Sequence, residues 1–504
     1  MNKIIDLKHN GLEVIRIIDD KLMSYNVEMT EVTGGTFWKS YTKEQVEGTE
    51  EFPALKSMAD MAGIMQVYPP INLYDEKIRK LAKQFGPVWV RVSGTWATKT
   101  YYDFDGHTGG KAPAGYQSVL TKEQWIGVLD FVKAIDAKLL VSVSNCEGLH
   151  RAEEDWNPSQ AKLLFDLSRD YGVKIDAAEF MNEPNMLAFS GSPIGYTAEQ
   201  YRRDQDIFFK WVRENYPGTL CVGPCTVAME NASSDGTIDA NKAGGIVSMM
   251  GDNCTTEQLM DGTVEPLDVF SYHYYNGISD RLASVMPQLH WSPDSTLSEA
   301  YLAVAPVTAK SLLATRDKYC PGGQMWVTES GDAGGGGDSW ASTYMEVFRT
   351  LNELGTFATI TDGIIFHNTL ASSDYGFLAH STFSPRPNYF AVLLWTKLMG
   401  STVYDSTYPI AEGVHVFAHS RKDGKDGVAY LIINNSKESS TMINLSKDSE
   451  VYELSANYLR SPVMLLNDRE LVLGENNELP SLEPKIVKSG TYELKPARIA
   501  FIVM

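Results

Sequence analysis

The sequence has few cysteines, little positive charge and no long apolar run. Its five cysteines are too few, and odd in number, for a disulfide framework, and no second Cys or His pair joins Cys221 and Cys225 to complete a zinc site. No stretch approaches the ~18 consecutive apolar residues that a membrane-spanning helix needs. The sequence therefore favours a reduced, metal-free protein that does not enter a membrane.

The charge balance limits the kinds of molecule that the protein is expected to bind. The 64 acidic residues outnumber the 44 Lys and Arg and give a net charge of −20, whereas a nucleic-acid binder needs a basic face. The same balance argues against a long basic groove for a densely sulfated polyanion. We expect a small partner that is neutral or singly acidic.

The first twenty residues lack the uninterrupted apolar segment of a secretory signal. Together with the scarcity of cysteine, this predicts a cytoplasmic protein. The alternative is a secreted protein from which a signal has been removed.

With 504 residues, 43% of them hydrophobic, the chain is long enough for a large core. From residue 24 to about residue 400, short apolar runs alternate with amphipathic helical stretches, which predicts a (β/α)8 barrel. The eight predicted strands are Tyr25–Glu31, Val88–Ser93, Lys138–Ser144, Ala177–Asn182, Leu220–Gly223, Leu267–Tyr272, Gln324–Glu329 and Gly363–His367.

The pattern changes after Gly400, where no helical period remains and the short apolar runs are separated by Gly, Asn and Pro. Residues 401–504 are therefore predicted to form an all-β sandwich. Its predicted strands are Val414–His419, Val428–Asn434, Thr441–Leu445, Val451–Leu454, Val463–Leu466, Glu470–Leu473 and Arg498–Val503. Residues 1–23 predict a hairpin that turns at His9-Asn10-Gly11 and joins this sandwich.

Two glutamates follow predicted barrel strands, Glu183 in Asn182-Glu183-Pro184 after the fourth strand and Glu329 at the end of the seventh. Barrel active sites lie at the carboxyl ends of the strands, so both side chains are predicted to point into one mouth. Hydrolysis of a glycosidic bond needs two facing carboxyl groups, one protonated and one ionised. Asn182 is placed to hold the 2-hydroxyl of the sugar. Either glutamate alone is explained as well by a salt bridge at the rim, but the pair favours catalysis.

Several segments carry a family resemblance. Asn182-Glu183-Pro184 with a glutamate at the end of strand seven resembles the retaining barrel glycosidases. More narrowly, the sequence from about Tyr25 to Ser401 resembles glycoside hydrolase family 79, the family of heparanase and β-glucuronidases. The segments that carry this resemblance, in order, are Tyr272-His273-Tyr274-Tyr275-Asn276-Gly277, Trp326-Val327-Thr328-Glu329-Ser330 with the run Gly334–Gly337, and Ser384-Pro385-Arg386-Pro387-Asn388-Tyr389-Phe390.

The resemblance implies roles for particular residues. It implies Glu183 as the general acid/base and Glu329 as the nucleophile of a retaining mechanism that needs no cofactor and no metal. It also implies substrate-binding residues: Gly335, Gly336 and Tyr375 at a uronate carboxylate, Tyr274 beside the nucleophile, and Glu28, with Glu31 as its rival, at sugar hydroxyls. His273 is interpreted as a structural histidine, and Trp96 and Trp340 are either sugar platforms or packing residues.

These features predict an exo-acting β-D-glucuronidase that binds a glycoside with a terminal glucuronic acid. The exo preference rests on the acidic net charge, which does not suit an extended sulfated chain. The alternatives are a β-glycosidase for a neutral sugar, an endo-β-glucuronidase, and a carbohydrate-binding protein without turnover.

Overall fold

The computed structural model of this chain describes residues 3–228 and 253–504. The strands of these residues are, in chain order, β1 (Lys3–Leu7), β2 (Val14–Ile17), β3 (Met23–Glu28), β4 (Gly35–Trp38), β5 (Met65–Tyr68), β6 (Trp89–Ser93), β7 (Thr100–Asp103), β8 (Ser118–Thr121), β9 (Lys138–Ser142), β10 (Ala177–Glu179), β11 (Leu220–Val227), β12 (Val269–Ile278), β13 (Gln324–Gly334), β14 (Ile365–His367), β15 (Met399–Tyr404), β16 (His415–Arg421), β17 (Val428–Asn434), β18 (Thr441–Leu445), β19 (Ser449–Ser455), β20 (Leu465–Leu466), β21 (Arg469–Glu470), β22 (Lys485–Val487), β23 (Gly490–Leu494) and β24 (Arg498–Val503).

The α-helices of the described residues alternate with the barrel strands over most of the chain. They are α1 (Met29–Thr33), α2 (Lys43–Glu47), α3 (Glu76–Lys83), α4 (Thr95–Thr98), α5 (Lys122–Ile135), α6 (Ser159–Asp170), α7 (Leu187–Ser190), α8 (Ala198–Asn215), α9 (Thr256–Met260), α10 (Glu299–Ser311), α11 (Leu313–Tyr319), α12 (Tyr344–Ile360) and α13 (Pro387–Leu398). Two long helices, α5 and α8, begin with a capping box in which Thr121 or Thr197 accepts a hydrogen bond from the backbone of the Gln three residues later. None of the described helices is long and apolar enough to cross a membrane.

The eight predicted barrel strands are confirmed. They close a parallel barrel in the order β3-β6-β9-β10-β11-β12-β13-β14, and β14 pairs with β3 through Ile365 and Met23. Residues on both faces of these strands are buried, as is typical of a parallel sheet covered by helices.

The barrel interior is arranged in layers along the strands. Its amino-terminal end is filled by apolar side chains, among them Trp89, Leu140 and Trp326. Two residues further along β6, the buried Arg91 takes the inward position. Because inward positions alternate along a strand, the next inward residue of β6 is Ser93, near the carboxyl end. The interior therefore changes from apolar to polar and charged toward the mouth.

The C-terminal part forms two stacked β-sheets, as predicted. The larger has nine strands in the order β2-β15-β16-β17-β24-β19-β20-β21, with β22 on β19, and the smaller is β1-β18-β23. Alternate residues of β17 serve different contacts: Tyr430 and Ile432 face the core between the two sheets, and Leu431 faces the barrel helices. Strands β15, β22 and β23 are absent from the sequence-based prediction.

The predicted N-terminal hairpin is wrong, because β1 and β2 do not pair with each other. β1 pairs in parallel with β18 in the smaller sheet, and β2 pairs antiparallel with β15 in the larger one. The Asn10-Gly11 segment lets the chain cross from one sheet to the other, with Gly11 at a φ of 75°. This pairing buries Ile5 and Leu7 between the two sheets.

Two small sheets, which the sequence did not predict, lie in connections after barrel strands. β4 and β5 pair antiparallel in the connection after β3, and β7 pairs in parallel with β8 after β6. Connections that follow parallel barrel strands lie at the mouth. The first of them brings Phe37 and Trp38 to the cavity there.

Candidate active site

A cavity of about 300 Å³ opens at the carboxyl ends of the barrel strands. Its floor is polar and its rim is mostly apolar. The lining side chains are Glu28, Thr95, Asn182, Glu183, Tyr275, Glu329, Asn368 and Tyr375 on the polar side, Phe37, Trp38, Met61, Met65, Trp96, Met186, Phe189, Val227, Ile278, Leu282 and Met286 on the apolar side, and the cation Lys99, with Gly94, Gly334 and Gly335 contributing backbone. The volume and composition are those of a small-molecule site.

The floor of the cavity is organised by the buried Arg91. Its Nε donates to Glu179 Oε1 at 2.6 Å, and its Nη1 donates to Glu329 Oε1 at 3.0 Å. Its Nη2 donates to Asn182 Oδ1 at 2.8 Å. One guanidinium therefore fixes the positions of a buried carboxylate, the candidate nucleophile and the candidate sugar-binding amide.

The structure brings Glu183 and Glu329 together, although they are far apart in the chain. A carboxylate oxygen of each, together with a ring nitrogen of His273, lies within 4.8 Å of the others. Retaining glycosidases place their two carboxyl groups ~5–5.5 Å apart, whereas inverting enzymes leave room for a water at ~6.5–9.5 Å. The two glutamates are thus closer than the inverting range, which favours the retaining geometry.

The surroundings push the pKa values of the two glutamates apart. Burial raises the pKa of Glu183; the charge of Glu329 raises it further, and the hydrogen bond from His273 only partly offsets this. Burial also raises the pKa of Glu329, but His273, Arg91 and the hydroxyl of Tyr275 lower it by more. Glu183 is therefore the group that stays protonated and Glu329 the group that stays ionised, as an acid and a nucleophile must be.

His273 lies between the two carboxyl groups. Its Nδ1 is 3.0 Å from Glu183 Oε1 and 3.6 Å from Glu329 Oε2, and its Nε2 is 3.2 Å from Arg91 Nη2. Because arginine can only donate, Nε2 accepts, which leaves the proton on Nδ1 and directs it at Glu183. The sequence-based interpretation of His273 as a purely structural histidine overlooked these contacts.

The prediction for Tyr274 is wrong. Inward positions alternate along β12, so His273 and Tyr275 face the barrel interior and Tyr274 packs in the apolar core outside it. The hydroxyl of Tyr274 donates to Asn276, whereas the hydroxyl of Tyr275 donates to Glu329 Oε2 at 2.6 Å. The residue that contacts the nucleophile is therefore Tyr275.

We expect Tyr275→Phe to lower kcat/KM by about 10- to 100-fold, because it removes a hydrogen bond to an ionised carboxylate. Loss of the hydroxyl raises the pKa of Glu329, so the acid limb of the pH–rate profile moves to higher pH. The measurement is kcat/KM against pH for Tyr275→Phe beside Tyr274→Phe. An unmoved acid limb in Tyr275→Phe, or an equal movement in Tyr274→Phe, would contradict the assignment.

Glu28, not Glu31, is the acidic residue that lines the cavity. Burial raises the pKa of Glu28 well above its usual value, and the charge of Glu329 raises it further. Glu31 Oε2 accepts the backbone N–H of Glu28 at 2.7 Å, as part of the capping box of α1. Glu28 can therefore bind a sugar hydroxyl, while Glu31 holds the backbone that carries it.

The glycine run follows β13, and its residues Gly335, Gly336 and Gly337 have φ values of 92°, 89° and 82°. Side chains rarely adopt this left-handed conformation, which explains the glycines. A Cβ on Gly336 would also lie 2.7 Å from Trp38. Among the hydrogen bonds of the described residues, none uses the N–H of Gly335 or Gly336, and Gly335 lines the cavity. Both amides are thus available to an anionic group.

The buried Arg281 binds the backbone carbonyls of the glycine run. Its Nη1 donates to the carbonyls of Gly335 and Gly337 at 3.1 and 2.8 Å, and its Nη2 also contacts Asp374. The same guanidinium donates to the carbonyl of Lys39, in the connection after β4. Three separate mouth segments are therefore joined by one side chain, which fixes the direction of the glycine amides.

Tyr375 lines the cavity beside Tyr275, with the two rings stacked at 6.4 Å between centroids. Asn368 Nδ2 donates to the hydroxyl of Tyr275 at 2.9 Å and to that of Tyr375 at 3.1 Å. Of the two candidate sugar platforms, Trp96 lines the cavity, whereas Trp340 is fully buried and packs near His290.

Three groups of acidic and histidine side chains are close enough in the described residues to hold a metal ion. One is Glu183, His273 and Glu329, where the Nδ1 proton and the adjacent Arg91 leave no nitrogen lone pair for a cation. Another is Asp280, His290 and Asp338, in which the aspartates raise the pKa of His290 to about 10 despite burial, so that it forms an ion pair. The third, around Asp103, is largely exposed.

Sequence reasoning missed Arg91, His273, Tyr275 and Asn368 as residues of the site. The alternation of β12 could have distinguished Tyr275 from Tyr274, and an arginine within a barrel strand is an unusual buried charge. For Asn368, in the connection after β14, the sequence carried no comparable signal.

Comparisons with known proteins agree with this geometry. No protein-family model matches the chain. The chain is 24% identical over 482 residues to heparanase-like protein 1 of Arabidopsis thaliana, covering 85% of this chain and 83% of the relative. It is 25% identical over 472 residues to baicalin-β-D-glucuronidase of Scutellaria baicalensis, covering 86% and 83%.

Among solved structures, a 4-O-α-L-rhamnosyl-β-D-glucuronidase from Fusarium oxysporum superposes with a TM-score of 0.62. The sequence identity is only 10%, although 99% of this chain and 100% of that chain are covered, so this likeness concerns the fold. These similarities show that the chain is a homologue of heparanase-like proteins and of a β-glucuronidase, and with the paired glutamates they identify it as a retaining glycoside hydrolase.

Proposed function

We propose that this glycoside hydrolase is an exo-β-D-glucuronidase. The observation that carries the proposal is the unused backbone amide of Gly335, which lines the cavity that holds Glu183 and Glu329, together with the unused amide of the adjacent Gly336. Amides of this kind bind a carboxylate without a lysine or arginine. Tyr375, after β14, and Glu28, at the end of β3, line the same cavity, where Tyr375 can bind the same carboxylate and Glu28 a hydroxyl of the same sugar.

The proposed mechanism follows from the two pKa shifts. Glu329 attacks the anomeric carbon while the protonated Glu183 donates its proton to the glycosidic oxygen, and the aglycone leaves. Glu183 then accepts a proton from the water that hydrolyses the glycosyl-enzyme ester, so that the configuration is retained. Asn182, positioned by Arg91, is proposed to hold the 2-hydroxyl through the transition state.

The test is kcat/KM for 4-nitrophenyl β-D-glucuronide beside the matching β-D-glucoside and β-D-xyloside. These substrates share the leaving group and differ only at the position that the glycine amides would bind. We expect a preference for the glucuronide of at least about 10²-fold, because a neutral sugar leaves the buried amides unpaired.

Each rival function gives a different result. A neutral-sugar glycosidase would hydrolyse the glucoside or xyloside at least as well as the glucuronide. A binding protein would retain the sugars without releasing nitrophenol. Internal cleavage of heparin to shorter oligosaccharides would contradict the exo assignment. The cytoplasmic location stays a prediction.

A further inference from the structure

One wall of the cavity has no role in the catalytic mechanism proposed above. It consists of Trp96 and Lys99 at α4, and Met186 and Phe189 at α7. The two helices contact each other, and the stem of Lys99 packs so closely on Gly191 that a Cβ there would lie 2.5 Å from it. We define these four side chains as the α4–α7 wall.

The position of this wall in the barrel indicates which part of the substrate lies against it. The glycine run and Tyr375 follow β13 and β14, whereas the α4–α7 wall follows β6 and β10, and β6 is separated from β14 by β3, which ends at Glu28. The wall also begins directly after the proposed acid, since the N–H of Met186 donates to the carbonyl of Glu183 at 3.0 Å. The leaving oxygen must approach Glu183, so the group attached to that oxygen lies against this wall.

The composition of the wall identifies the chemistry of that group. Trp96, Met186 and Phe189 offer flat or flexible apolar surface and no hydroxyl or carboxylate for sugar hydroxyls, and Phe189 remains 42% exposed. Lys99 is the one cationic side chain among the described residues that line the cavity, and its Nζ lies 5.7 Å from the centroid of Trp96.

Lys99 has no carboxylate partner among the ion pairs of the described residues, in a chain whose net charge is −20. Burial lowers its pKa, which means that the surroundings do not compensate its charge. A half-buried cation with no counter-ion, on the leaving-group side of a cavity, is suited to an anionic substituent of the substrate.

We propose that the α4–α7 wall is a leaving-group subsite for a flat, mainly apolar aglycone that carries one anionic substituent. The inference rests on the proposed function, since it takes Glu183 as the acid. It predicts that the enzyme prefers glucuronides whose aglycone is an acidic aryl compound over glucuronides whose aglycone is a neutral sugar.

The test compares two aryl β-D-glucuronides, 4-methylumbelliferyl glucuronide and its analogue with a carboxymethyl group in place of the methyl. For each substrate, kcat/KM is measured in the wild type, Lys99→Met, Lys99→Arg and the matched control Lys210→Met, which removes an exposed lysine of α8. We expect Lys99→Met to lower kcat/KM about tenfold for the carboxylated substrate and by less than about twofold for the neutral one. Lys99→Arg should keep most of the activity.

A second variant tests the apolar part of the wall. Phe189→Ala should lower kcat/KM for both aryl glucuronides by about 3- to 10-fold while leaving methyl β-D-glucuronide within about twofold. Equal losses on the aryl and methyl substrates, or equal effects of Lys99→Met on both aryl substrates, would overturn the subsite.

Binding of the free carboxylated phenol, measured by calorimetry, separates this inference from the proposed function. If the wild type hydrolyses no glucuronide but binds the phenol about tenfold more tightly than Lys99→Met does, the glucuronidase assignment fails and the subsite stands. If glucuronides are hydrolysed and neither kinetics nor binding depends on Lys99, the subsite fails alone. Preference for a glucuronosyl disaccharide over both aryl substrates would also overturn it.

Discussion

Glu329→Gln is expected to lower kcat by at least about 10³-fold, because it removes the nucleophile of the covalent step. The two oxygens of Glu329 are held by Arg91 and Tyr275, so the carboxylate has a fixed orientation in the cavity. Glutamine keeps the volume but not the charge. The buried Arg91 keeps its ion pair with Glu179, and the fold should survive, which circular dichroism and thermal unfolding would establish.

The role of Glu329 as the nucleophile can also be tested without kinetics. A 2-deoxy-2-fluoro aryl glucuronide slows both steps, and its good leaving group allows the glycosyl-enzyme to accumulate. We expect mass spectrometry of digested wild-type protein to place the label on the peptide that contains Glu329, with no label in Glu329→Gln. A label on Glu28, the third carboxyl group in the cavity, would contradict the assignment.

Glu183→Ala is expected to have an effect that depends on the leaving group. For an alkyl or sugar aglycone, loss of the general acid should cost about 10²- to 10⁴-fold in kcat/KM. For an aryl aglycone of low pKa, which departs without a proton, kcat/KM should fall much less. Azide, which needs no general base, should restore turnover of the aryl substrate and give the β-glycosyl azide.

The pH profile gives a further check on Glu183. Activity needs Glu183 protonated, so it falls as the pH rises through the raised pKa of this group, and it needs Glu329 ionised, so it falls as the pH drops through the lowered pKa of that group. In Glu183→Ala, the basic limb should disappear from kcat/KM. If both limbs persist, or if the loss is the same for every leaving group, Glu183 is not the acid.

The barrel was predictable from sequence because its strands are buried on both faces. Runs such as Val88–Ser93 are mostly apolar, and helical stretches separate them, a pattern that is typical of a parallel sheet covered by helices. The N-terminal segment shows the limit of the same reasoning. The chain does bend at His9-Asn10, but β1 and β2 pair with strands about 400 residues away instead of with each other, because the choice of partner depends on what the tertiary structure offers.

The residues of the site also fall into those that the sequence identified and those that it did not. Glu183 and Glu329 were visible because each ends a strand and catalysis by two carboxyl groups is a strong constraint on where they lie. The choice between Tyr274 and Tyr275 was not decided by the motif, since it depends on which face of β12 points inward. Arg91 was not identified, because its role comes from three partners contributed by β10, by the segment after it and by β13.

The sequence by itself therefore determined the barrel, the sandwich and the positions of the two glutamates, because apolar periodicity and strand ends are local properties of the chain. Only the tertiary structure decided which glutamate stays protonated. That depends on burial, on the charge of Arg91 in β6, and on the contacts of His273 and Tyr275 in β12. It alone also placed Lys99 and Phe189 on one wall of the cavity, because α4 and α7 follow β6 and β10, which are brought close through their shared neighbour β9.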